Sequence, residues 1–284
     1  MKKNNRIVIL GGNSFVLSNF VNLLKINKIK FLLIFKKNID LTNTNSIKKL
    51  SKILKKNDKV VFSSAIAPAK NLKMLLQNLE MCQNVFEVLK KKKIKYILYV
   101  SSDAVYSDSK KPLTEKSETK PDNFHGAMHL MREKILKLLN IKLCIVRPTL
   151  VYGTDDPHNG YGTNQFIRLA QSKKNISLFG KGEERRDHIH VNDVGNAIYF
   201  LVKKNYVGTV NLVSGKVVSF HKIAEKIKNL YNVKLRYVKR KGVMPHNGYR
   251  AFNNTLLKKI LTNGNKIKNV LEWINIKEKY KRKI

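Results

Sequence analysis

The chain has 284 residues, 43% of them hydrophobic, which is enough to bury a substantial core in one large domain or two smaller ones. Its 57 basic and 19 acidic residues give a formal net charge of +38, but the lysines are spread along the whole sequence, without a zinc-finger spacing, an aromatic RNA-binding signature or a long basic tail. We therefore interpret the charge as a solubilising surface and expect no nucleic-acid or membrane partner, with nucleic-acid binding kept as a distant alternative.

The first residues, MKKNNRIVILGG, combine a basic tip with an apolar run. Gly11 and Gly12 interrupt this run and no small-residue cleavage site follows, so the pattern favours a first strand and turn over a signal peptide. No apolar run reaches the about 18–20 residues of a membrane helix. Cys82 and Cys144 lie within apolar patterns and form neither a disulfide framework nor a metal site. We expect a cytoplasmic protein with no bound metal.

Strand-like and helix-like segments alternate through the first half of the chain. Short apolar runs predict strands, and longer segments with helical spacing predict helices. The predicted elements are, in order, a strand at 6–10, a helix at 15–27, a strand at 29–35, a helix at 46–56, a strand at 58–65, a helix at 72–92, a strand at 95–102, a helix at 125–140 and a strand at 142–148. Apolar strands separated by helices predict an α/β fold whose parallel sheet is covered on both faces.

After Pro148 the pattern changes to glycine-rich loops and shorter elements. The segment ISLFGKGEERRDHIHVNDVGNAIYFLVKK predicts a strand, a turn, a return strand and a helix, and TVNLVSG and FHKIAEKIKNLY predict a further strand and helix. We expect this smaller region to fold over the carboxyl edge of the sheet, where ligands of doubly wound sheets bind. The predicted division is a domain at 1–150 and a substrate-binding region at 151–284.

The first strand leads into the turn GGNSFVLS. Dinucleotide sites use glycines at such a turn so that backbone amides can approach a pyrophosphate. Gly11 fits the first glycine of a G-x-x-G-x-x-G pattern, but Ser14 and Leu17 stand at the second and third. The motif alone therefore fits a strand–turn–helix without a nucleotide equally well.

Seven segments in register with this turn carry a resemblance to a known family: VILGGNSFVLS, IDLTN, DKVVFSSA, YVSSDAVYSD, RPTLVYG, FGKGEERRDHIHVNDVGNAI and VNLVSGKVVSFHKIAEKI. Together they resemble the extended short-chain dehydrogenase/reductases, the NAD-dependent epimerase/dehydratase group that acts on nucleotide sugars. The resemblance implies a Rossmann-type, doubly wound α/β core that the chain re-enters near 187–205. It also implies a homodimer formed through the helices at 72–92 and 125–140.

The resemblance implies a nicotinamide dinucleotide as the cofactor. Lys36 and Lys37 follow the second strand, where NAD-binding members usually carry an acid, and cations suit the 2′-phosphate of NADP. NAD or NADP is therefore expected, with NADP favoured. The implied cofactor contacts are Gly11, Ser14, Phe15, Lys36, Asp40, Ala65 and His129.

Ser102 takes the place of the family's active-site Ser/Thr, whose hydroxyl bonds the sugar oxygen that gains or loses a proton. The alternative role is a serine that caps a strand end. Asp103 stands where dehydratases of the family carry an acid and is a candidate substrate contact. Their partner glutamate is replaced by Ala104, so elimination of water lacks one acid/base group and is disfavoured.

The family's Tyr-x-x-x-Lys pair is replaced by two histidines. In DNFHGAMHLMRE, His125 aligns with the tyrosine and His129 with the lysine, and their i, i+4 spacing predicts one helical face. Imidazole titrates near pH ~6.5, so a histidine can transfer protons near neutrality without a lysine to tune it. Two neighbouring imidazoles are expected to depress each other's pKa. The catalytic residues implied by the alignment are Ser102, His125 and His129.

Further positions match residues that bind the nucleotide diphosphate in the family. Asn164 in GYGTNQF matches a phosphate contact, Arg186 matches the arginine of an Arg-Asp pair, and Arg250 resembles a second phosphate-binding arginine. Two guanidinium groups suit a diphosphate because each makes bidentate hydrogen bonds. Pairing of Arg186 with a nearby aspartate, and a surface position for Arg250, are the alternatives.

These observations predict hydride transfer at a sugar carbon of a nucleotide-diphosphate sugar, by an epimerase or a keto-sugar reductase. The degraded glycine turn and the missing Tyr–Lys pair keep one alternative open. In that alternative the protein has the same fold and binds NAD(P) or the sugar nucleotide, but its catalysis is altered or absent.

Overall fold

A computed structural model of the chain describes residues 6–240, 242–261 and 266–281. The chain divides into two compact units. The first comprises the residues up to 107 with 115–148 and 195–211, and the second comprises 108–114, 149–194 and 212 onwards. The assignment of 1–150 and 151–284 as cofactor-binding and substrate-binding domains stays a prediction.

The secondary structure follows the chain in this order. The strands are β1 (Ile7–Leu10), β2 (Phe31–Ile34), β3 (Lys59–Phe62), β4 (Tyr96–Val100), β5 (Lys142–Pro148), β6 (Leu150–Tyr152), β7 (Ile176–Phe179), β8 (Arg185–His190), β9 (Gly208–Leu212), β10 (Val217–Ser219), β11 (Leu235–Val238) and β12 (Tyr249–Arg250). The helices are α1 (Ser18–Ile26), α2 (Asn45–Ile53), α3 (Leu72–Lys91), α4 (Phe124–Lys137), α5 (Thr163–Gln171), α6 (Val191–Lys204), α7 (Phe220–Tyr231), α8 (Thr255–Ile260) and α9 (Val270–Lys281).

The first unit is built on a six-stranded sheet with the order β2-β1-β3-β4-β5-β9. The pairs from β2 through β5 are parallel. Every residue of β1, β3 and β4 is buried, and α2, α3 and α4 contribute to the core that packs against these strands. This matches the apolar strand pattern of the sequence, because a parallel sheet covered by helices exposes neither face of its central strands.

The second unit contains shorter strands in two small sheets. Its own core forms around α5, α7 and α9, with Phe166, Phe220 and Ile223 fully or almost fully buried. No helix in the described part of the chain is both long and apolar enough to cross a membrane.

The sequence predicted that the strand after β7 returns alongside it, and this pairing is wrong. β7 pairs with β11 in parallel, whereas β8 pairs with β6, β10 and β12. The turn between β7 and β8 explains the difference, because Gly180 and Gly182 have φ of +59° and +68°. The carbonyl of Gly182 accepts a hydrogen bond of 2.8 Å from the amide of His221 in α7. The turn therefore packs on a helix and sends the chain into another sheet.

Lys59 at the start of β3 is a buried lysine in the first unit, with 1% of its surface exposed. Its Nζ donates a hydrogen bond of 2.6 Å to the backbone oxygen of Val202, in the last turn of α6. Burial, followed by repulsion from Lys95, lowers the pKa of Lys59 to about 8. The lysine thus holds a helix end at the cost of burying a charge.

We expect the free energy of unfolding to rise between pH 8, the pKa of Lys59 in the folded protein, and pH 9, above which the raised pKa values of the buried Cys82 and Cys144 lower it again. In this window the unfolded lysine still binds the proton that the folded lysine has released, and linkage gives a gain of about 1 kcal/mol. Urea unfolding across this window measures the slope. Lys59→Met should abolish the slope, and Lys56→Met, at an exposed lysine, should keep it. A slope that survives Lys59→Met would belong to another group.

Candidate active site and anion-binding residues

The start of α4 is fixed against the turn that follows β4. The side chain of Asn123 caps the helix by accepting a 2.9 Å hydrogen bond from the amide of Gly126. A Cβ at Gly126 would lie 2.1 Å from the carbonyl oxygen of Ala104, so only glycine allows this approach. The helix therefore begins directly beside the segment that carries Ser102 and Asp103.

Ser102 lies at the carboxyl end of β4 and is partly buried. Its Oγ accepts a hydrogen bond of 3.2 Å from the amide of Ala104, which caps a short 3₁₀ turn at Asp103–Val105. The hydroxyl is the acceptor in this bond, so its own proton remains available to another acceptor. The capping role expected as the alternative is therefore present, and it is compatible with substrate contact.

His125 and His129 lie together on α4, with ring centroids 4.7 Å apart and ring planes at 87°. Nδ1 of His125 faces the amide of Ala69 at 3.5 Å, a long hydrogen bond in which the imidazole is the acceptor. Burial lowers the pKa of His125, and the nearby carboxylate of Asp103 partly opposes this effect. At neutral pH His125 is therefore an uncharged imidazole with its proton on Nε2.

Two further residues act on His129, and sequence analysis did not identify them: Tyr99 on β4 and Arg132 on α4. The hydroxyl of Tyr99 lies 2.7 Å from Nδ1 of His129. Arg132 is fully buried, donates a 2.9 Å hydrogen bond to the carbonyl of Ser64, and lies over the rings of Tyr99 and Phe62. No ion pair of Arg132 occurs within the described residues. The sequence could have pointed to Arg132, because it follows His129 by three residues and such spacing places both side chains on one face of a helix.

Glu133, the next residue of α4, is fully buried. Its carboxylate accepts two hydrogen bonds from Arg147, of 2.9 Å and 2.5 Å, and one of 2.6 Å from the hydroxyl of Ser101. Both carboxylate oxygens are therefore committed to β4 and β5. The nearest acid on the helix consequently does not neutralise Arg132.

The turn after β1 is the candidate site for the phosphates of a dinucleotide. Gly11 has a φ of +105°, and a Cβ there would lie 2.9 Å from the amide nitrogen of Ser64, so the glycine is required. Ser14 Oγ lies 2.7 Å from Ser63 Oγ, and Leu17 is buried at the end of a 3₁₀ turn that precedes α1. A second close approach lies on α6, where a Cβ at Gly195 would lie 2.6 Å from the amide nitrogen of Phe20 in α1. The first-turn amides beside Phe15 remain suited to phosphate, so the turn fits a dinucleotide.

The remaining cofactor candidates lie in loops at the carboxyl ends of β2 and β3. The side chain of Lys36 is 78% exposed, and its Nζ lies 3.8 Å from the carboxylate of Asp40. Asp40 accepts hydrogen bonds from the hydroxyl and amide of Thr42, which lower its pKa. Ala65 is exposed in the loop after β3. These residues share one sheet edge with Gly11, since parallel strands end at a common edge.

In the second unit, Arg186 and Arg250 stand directly opposite each other. They are register partners on the parallel strands β8 and β12, and their exposed fractions are 8% and 2%. Like charges at such positions repel, and burial strengthens the repulsion. Asp108 lies 3.1 Å from Arg250 and Glu184 lies 3.2 Å from Arg186. Each of the two opposed guanidinium groups therefore has a carboxylate partner at its side.

Three more residues of this cluster escaped the sequence analysis: Glu184, Arg240 and His246. Glu184 bridges Arg186 and Arg240, the second at 3.3 Å. The Nε atoms of both arginines are buried and have no hydrogen-bond partner in the described part of the chain. His246 contacts Asp108 and Arg250, and burial followed by the charges of Arg186 and Arg250 lowers its pKa. Within the described residues, Arg186 and Arg240 thus each keep a buried Nε–H without a partner, and such donors suit an anionic ligand.

Asn164 at the start of α5 is engaged within the protein. Its side-chain oxygen accepts a hydrogen bond of 3.0 Å from the amide of Gly153, and its amide group donates to Asp156. These bonds hold the loop that precedes α5. Among the described residues the amide group makes one donated bond and has a second N–H, so the predicted phosphate contact stays a prediction. No group of three or more histidine, cysteine or acidic side chains in the described residues is arranged to hold a metal.

Comparison with known proteins places these residues in context. A model of the NAD dependent epimerase/dehydratase family matches residues 7–213. A curated relative from Methanocaldococcus jannaschii, described as "Putative UDP-glucose 4-epimerase", is 31% identical over 155 residues, which cover 51% of this chain and 50% of the relative. The chain spans about half the length, or less, of the curated relatives that it matches.

Solved structures match nearly the whole chain. A UDP-N-acetylglucosamine 4-epimerase from Methanobrevibacter ruminantium, in complex with UDP-N-acetylmuramic acid, has a TM-score of 0.80 at 22% identity and covers 98% of both chains. A UDP-N-acetylglucosamine 4-epimerase from Bacillus cereus has a TM-score of 0.82 at 20% identity, covering 99% of this chain and 98% of its own. These likenesses confirm the predicted Rossmann-type α/β fold.

Proposed function

The chain belongs to the NAD dependent epimerase/dehydratase family, and on this premise we propose that it transfers hydride at a sugar carbon of a nucleotide-diphosphate sugar. The reaction is an epimerisation or a keto-sugar reduction with a nicotinamide dinucleotide. Dehydration is disfavoured, because Ala104 leaves Asp103 without the partner acid that elimination of water needs.

The observation that carries this proposal is the opposed pair Arg186 and Arg250. Both are buried, and the Nε of Arg186 is among the buried N–H groups without a partner in the described residues. A diphosphate supplies two negative charges and several acceptor oxygens, which satisfy such donors. We assign Arg186, Arg250 and Asn164 to the diphosphate, with Arg240 beside them.

The proton chemistry is assigned to the first unit. A bound nicotinamide would accept or supply the hydride. In the oxidation direction, the unprotonated Nδ1 of His125 takes the proton of the sugar hydroxyl while the hydride leaves the carbon for the nicotinamide, and Ser102 holds the oxygen by a hydrogen bond. Nδ1 gives up its long 3.5 Å hydrogen bond from the Ala69 amide in this step. Since burial lowers the pKa of His125, it is neutral and ready to accept this proton at pH 7. Oxidation is therefore lost as the pH falls through that pKa, and reduction, which needs the protonated form, is lost as the pH rises through it.

NADP is proposed over NAD because the side chain of Lys36 is exposed at the end of β2. A 2′-phosphate bound at the end of β2 would lie near the ammonium group of Lys36, although the carboxylate of Asp40 offsets part of the ammonium charge. Lys36→Ala should weaken NADPH binding and leave NADH binding unchanged. Equal losses for the two dinucleotides would assign Lys36 no role in this preference.

The test of the proposed function is binding followed by turnover. NADPH and NADH are titrated by fluorescence, and the protein is then incubated with deuterated NADPH and a panel of nucleotide 4-keto sugars. We expect saturable binding and deuterium in one sugar product, detected by mass spectrometry. If neither dinucleotide binds at high micromolar concentration, the oxidoreductase proposal is wrong.

We expect Arg186→Met to weaken the binding of a nucleoside diphosphate by about 10-fold to 100-fold, because a charge-assisted bond is lost from a buried site. Isothermal titration with UDP, GDP and dTDP measures this loss. Arg185→Met is the matched control, since Arg185 precedes Arg186 on β8, is exposed and points to the other face. Equal affinities of the two variants would exclude Arg186 from the ligand site.

A second copy of the chain is proposed as the protein partner. Exposed apolar side chains lie on α3 and α4, with exposed fractions of 57% for Leu72, 55% for Leu76 and 47% for Met131. Such a surface on two adjacent helices favours association. Sedimentation velocity should show a dimer that Leu76→Glu dissociates, and a wild-type monomer at high concentration would contradict the proposal.

A cytoplasmic location is proposed from the cysteines. Cys82 and Cys144 are both free and buried, as is usual for thiols in a reducing compartment.

A further inference from the structure

The hydrogen bond between Tyr99 and His129 has only one consistent direction. Tyr99 is fully buried and burial raises the pKa of its hydroxyl, so the phenol keeps its proton. Among its other polar neighbours, Arg132 carries only N–H donors, and the carboxylate of Glu133 is bound to Arg147 and Ser101. The Cys82 thiol is a weak acceptor whose pKa is raised by burial, so it keeps its own proton. The hydroxyl therefore donates to Nδ1 of His129, at 2.7 Å. An imidazole that accepts at Nδ1 carries its own proton on Nε2.

The surroundings of His129 also keep the ring uncharged. It is 5% exposed, and its pKa is lowered well below the ordinary value by burial, then by His125 and Arg132. The acid nearest along the helix, Glu133, is bound to Arg147 and Ser101. The titratable and charged groups that face the cluster are Tyr99 from β4, Asp103 from the turn after it, Cys82 from α3, and His125, Arg132 and Glu133 from α4.

We propose that Tyr99 is a positioning residue that holds His129 as the neutral Nε2–H tautomer. The pair then offers one neutral N–H donor at His129 and a single exchangeable proton at His125. In Tyr-x-x-x-Lys members the lysine provides a fixed cation, and position 129 of this chain has none. The buried guanidinium of Arg132, on the same helix, provides a positive charge near His129 instead. The consequence for hydride transfer rests on the proposed function, whereas the tautomer itself does not.

The tautomer is measured on the protein without any ligand. Long-range ¹H–¹⁵N spectra of ¹⁵N-histidine-labelled protein distinguish a protonated Nε2 from a protonated Nδ1, and His129→Gln identifies the signals of His129. We expect His129 to remain a neutral Nε2–H ring from about pH 8 to about pH 6. A proton on Nδ1, or a charged ring in this range, would overturn the proposal.

Tyr99→Phe removes the hydroxyl and keeps the buried ring. We expect the Nδ1 signal of His129 to shift, the tautomers to mix and the pKa of His129 to rise, because a hydrogen bond to the neutral form has been lost. Hydride transfer should slow about tenfold, the usual scale for one orienting hydrogen bond, and its pH profile should gain a second ionisation. Spectra of His129 that are identical in Tyr99→Phe and wild type would also overturn the proposal.

Tyr96→Phe is the matched control. Tyr96 lies on the same strand and is also fully buried, but its hydroxyl contacts the carbonyl of Leu201, at 3.5 Å, and no histidine among the residues that the structure describes. Its loss should leave the His129 signals unchanged. If the protein binds neither NADPH nor NADH, the proposed function fails and the spectra still decide the tautomer. If turnover is normal but His129 carries its proton on Nδ1, the inference fails and the proposed function stands.

Discussion

His125→Ala is expected to lower kcat for hydride transfer by about 10²-fold to 10⁴-fold, the range of a lost general acid or base. We assign the proton to His125 because burial raises the pKa of Tyr99 and lowers the pKa of His129 well below its ordinary value, so neither of these groups exchanges a proton readily. Stopped-flow measurement of NADPH oxidation with the keto sugar identified by the panel gives kcat directly. NADPH affinity should change little, since the side chain of His125 is assigned to the substrate proton.

His158→Ala serves as the control for loss of an imidazole, because His158 is exposed in the loop before α5. It should keep full activity. Unchanged turnover in His125→Ala would remove His125 from the mechanism. Wild-type protein that binds NADPH but exchanges no hydride with any sugar in the panel would instead support the alternative of a binding protein with altered catalysis.

His129→Lys, which restores the lysine of the family pair, should destabilise this protein by about 3–5 kcal/mol at pH 7. The new ammonium would be buried near the fully buried guanidinium of Arg132, and Glu133 is already bound to Arg147. Urea unfolding measures the loss. The loss should shrink above pH 7, because the buried lysine releases its proton well before the unfolded one does.

Two variants separate charge from shape in this experiment. His129→Gln keeps a neutral N–H donor of similar size and should cost less than His129→Lys. Arg132→Met combined with His129→Lys should recover part of the stability, and the double-mutant cycle gives the repulsion between the two cations. If His129→Lys alone is as stable as the wild type, the interior around Arg132 accepts a second cation and the prediction is wrong.

The order of elements in the first unit was predictable because a parallel sheet has a strong local signature. Strands such as 58–65 and 95–102 were predicted within a few residues of β3 and β4. The pairing of the second unit was not predictable in this way. β6, β10 and β12 have two or three residues each, too few for a periodic pattern, and nothing local states that β7 pairs with β11.

The same distinction between local and long-range information applies to the residues of the candidate site. His125, His129 and Arg186 could be singled out because spacing and resemblance mark positions along one element. Tyr99 and Arg240 became visible only in the structure, because their partners His129 and Glu184 lie 30 and 56 residues away in the sequence. Arg132 stood beside the histidines in the sequence, but its burial without a carboxylate depends on where Phe62 and Tyr99 lie.

The interleaving of the two units sets the order in which the chain can fold during synthesis. β9, an edge strand of the large sheet, and the C-terminal part of α6 are made only after residues 149–194, which belong to the other unit. Until then Lys59 lacks Val202, and the hydroxyl of Tyr106 lacks Asn211, its partner at 2.7 Å. A nascent chain that ends near residue 150 therefore has an open sheet edge and a buried ammonium without an acceptor. We therefore expect the large sheet to be completed at its β5 edge only after most of the polypeptide has been made.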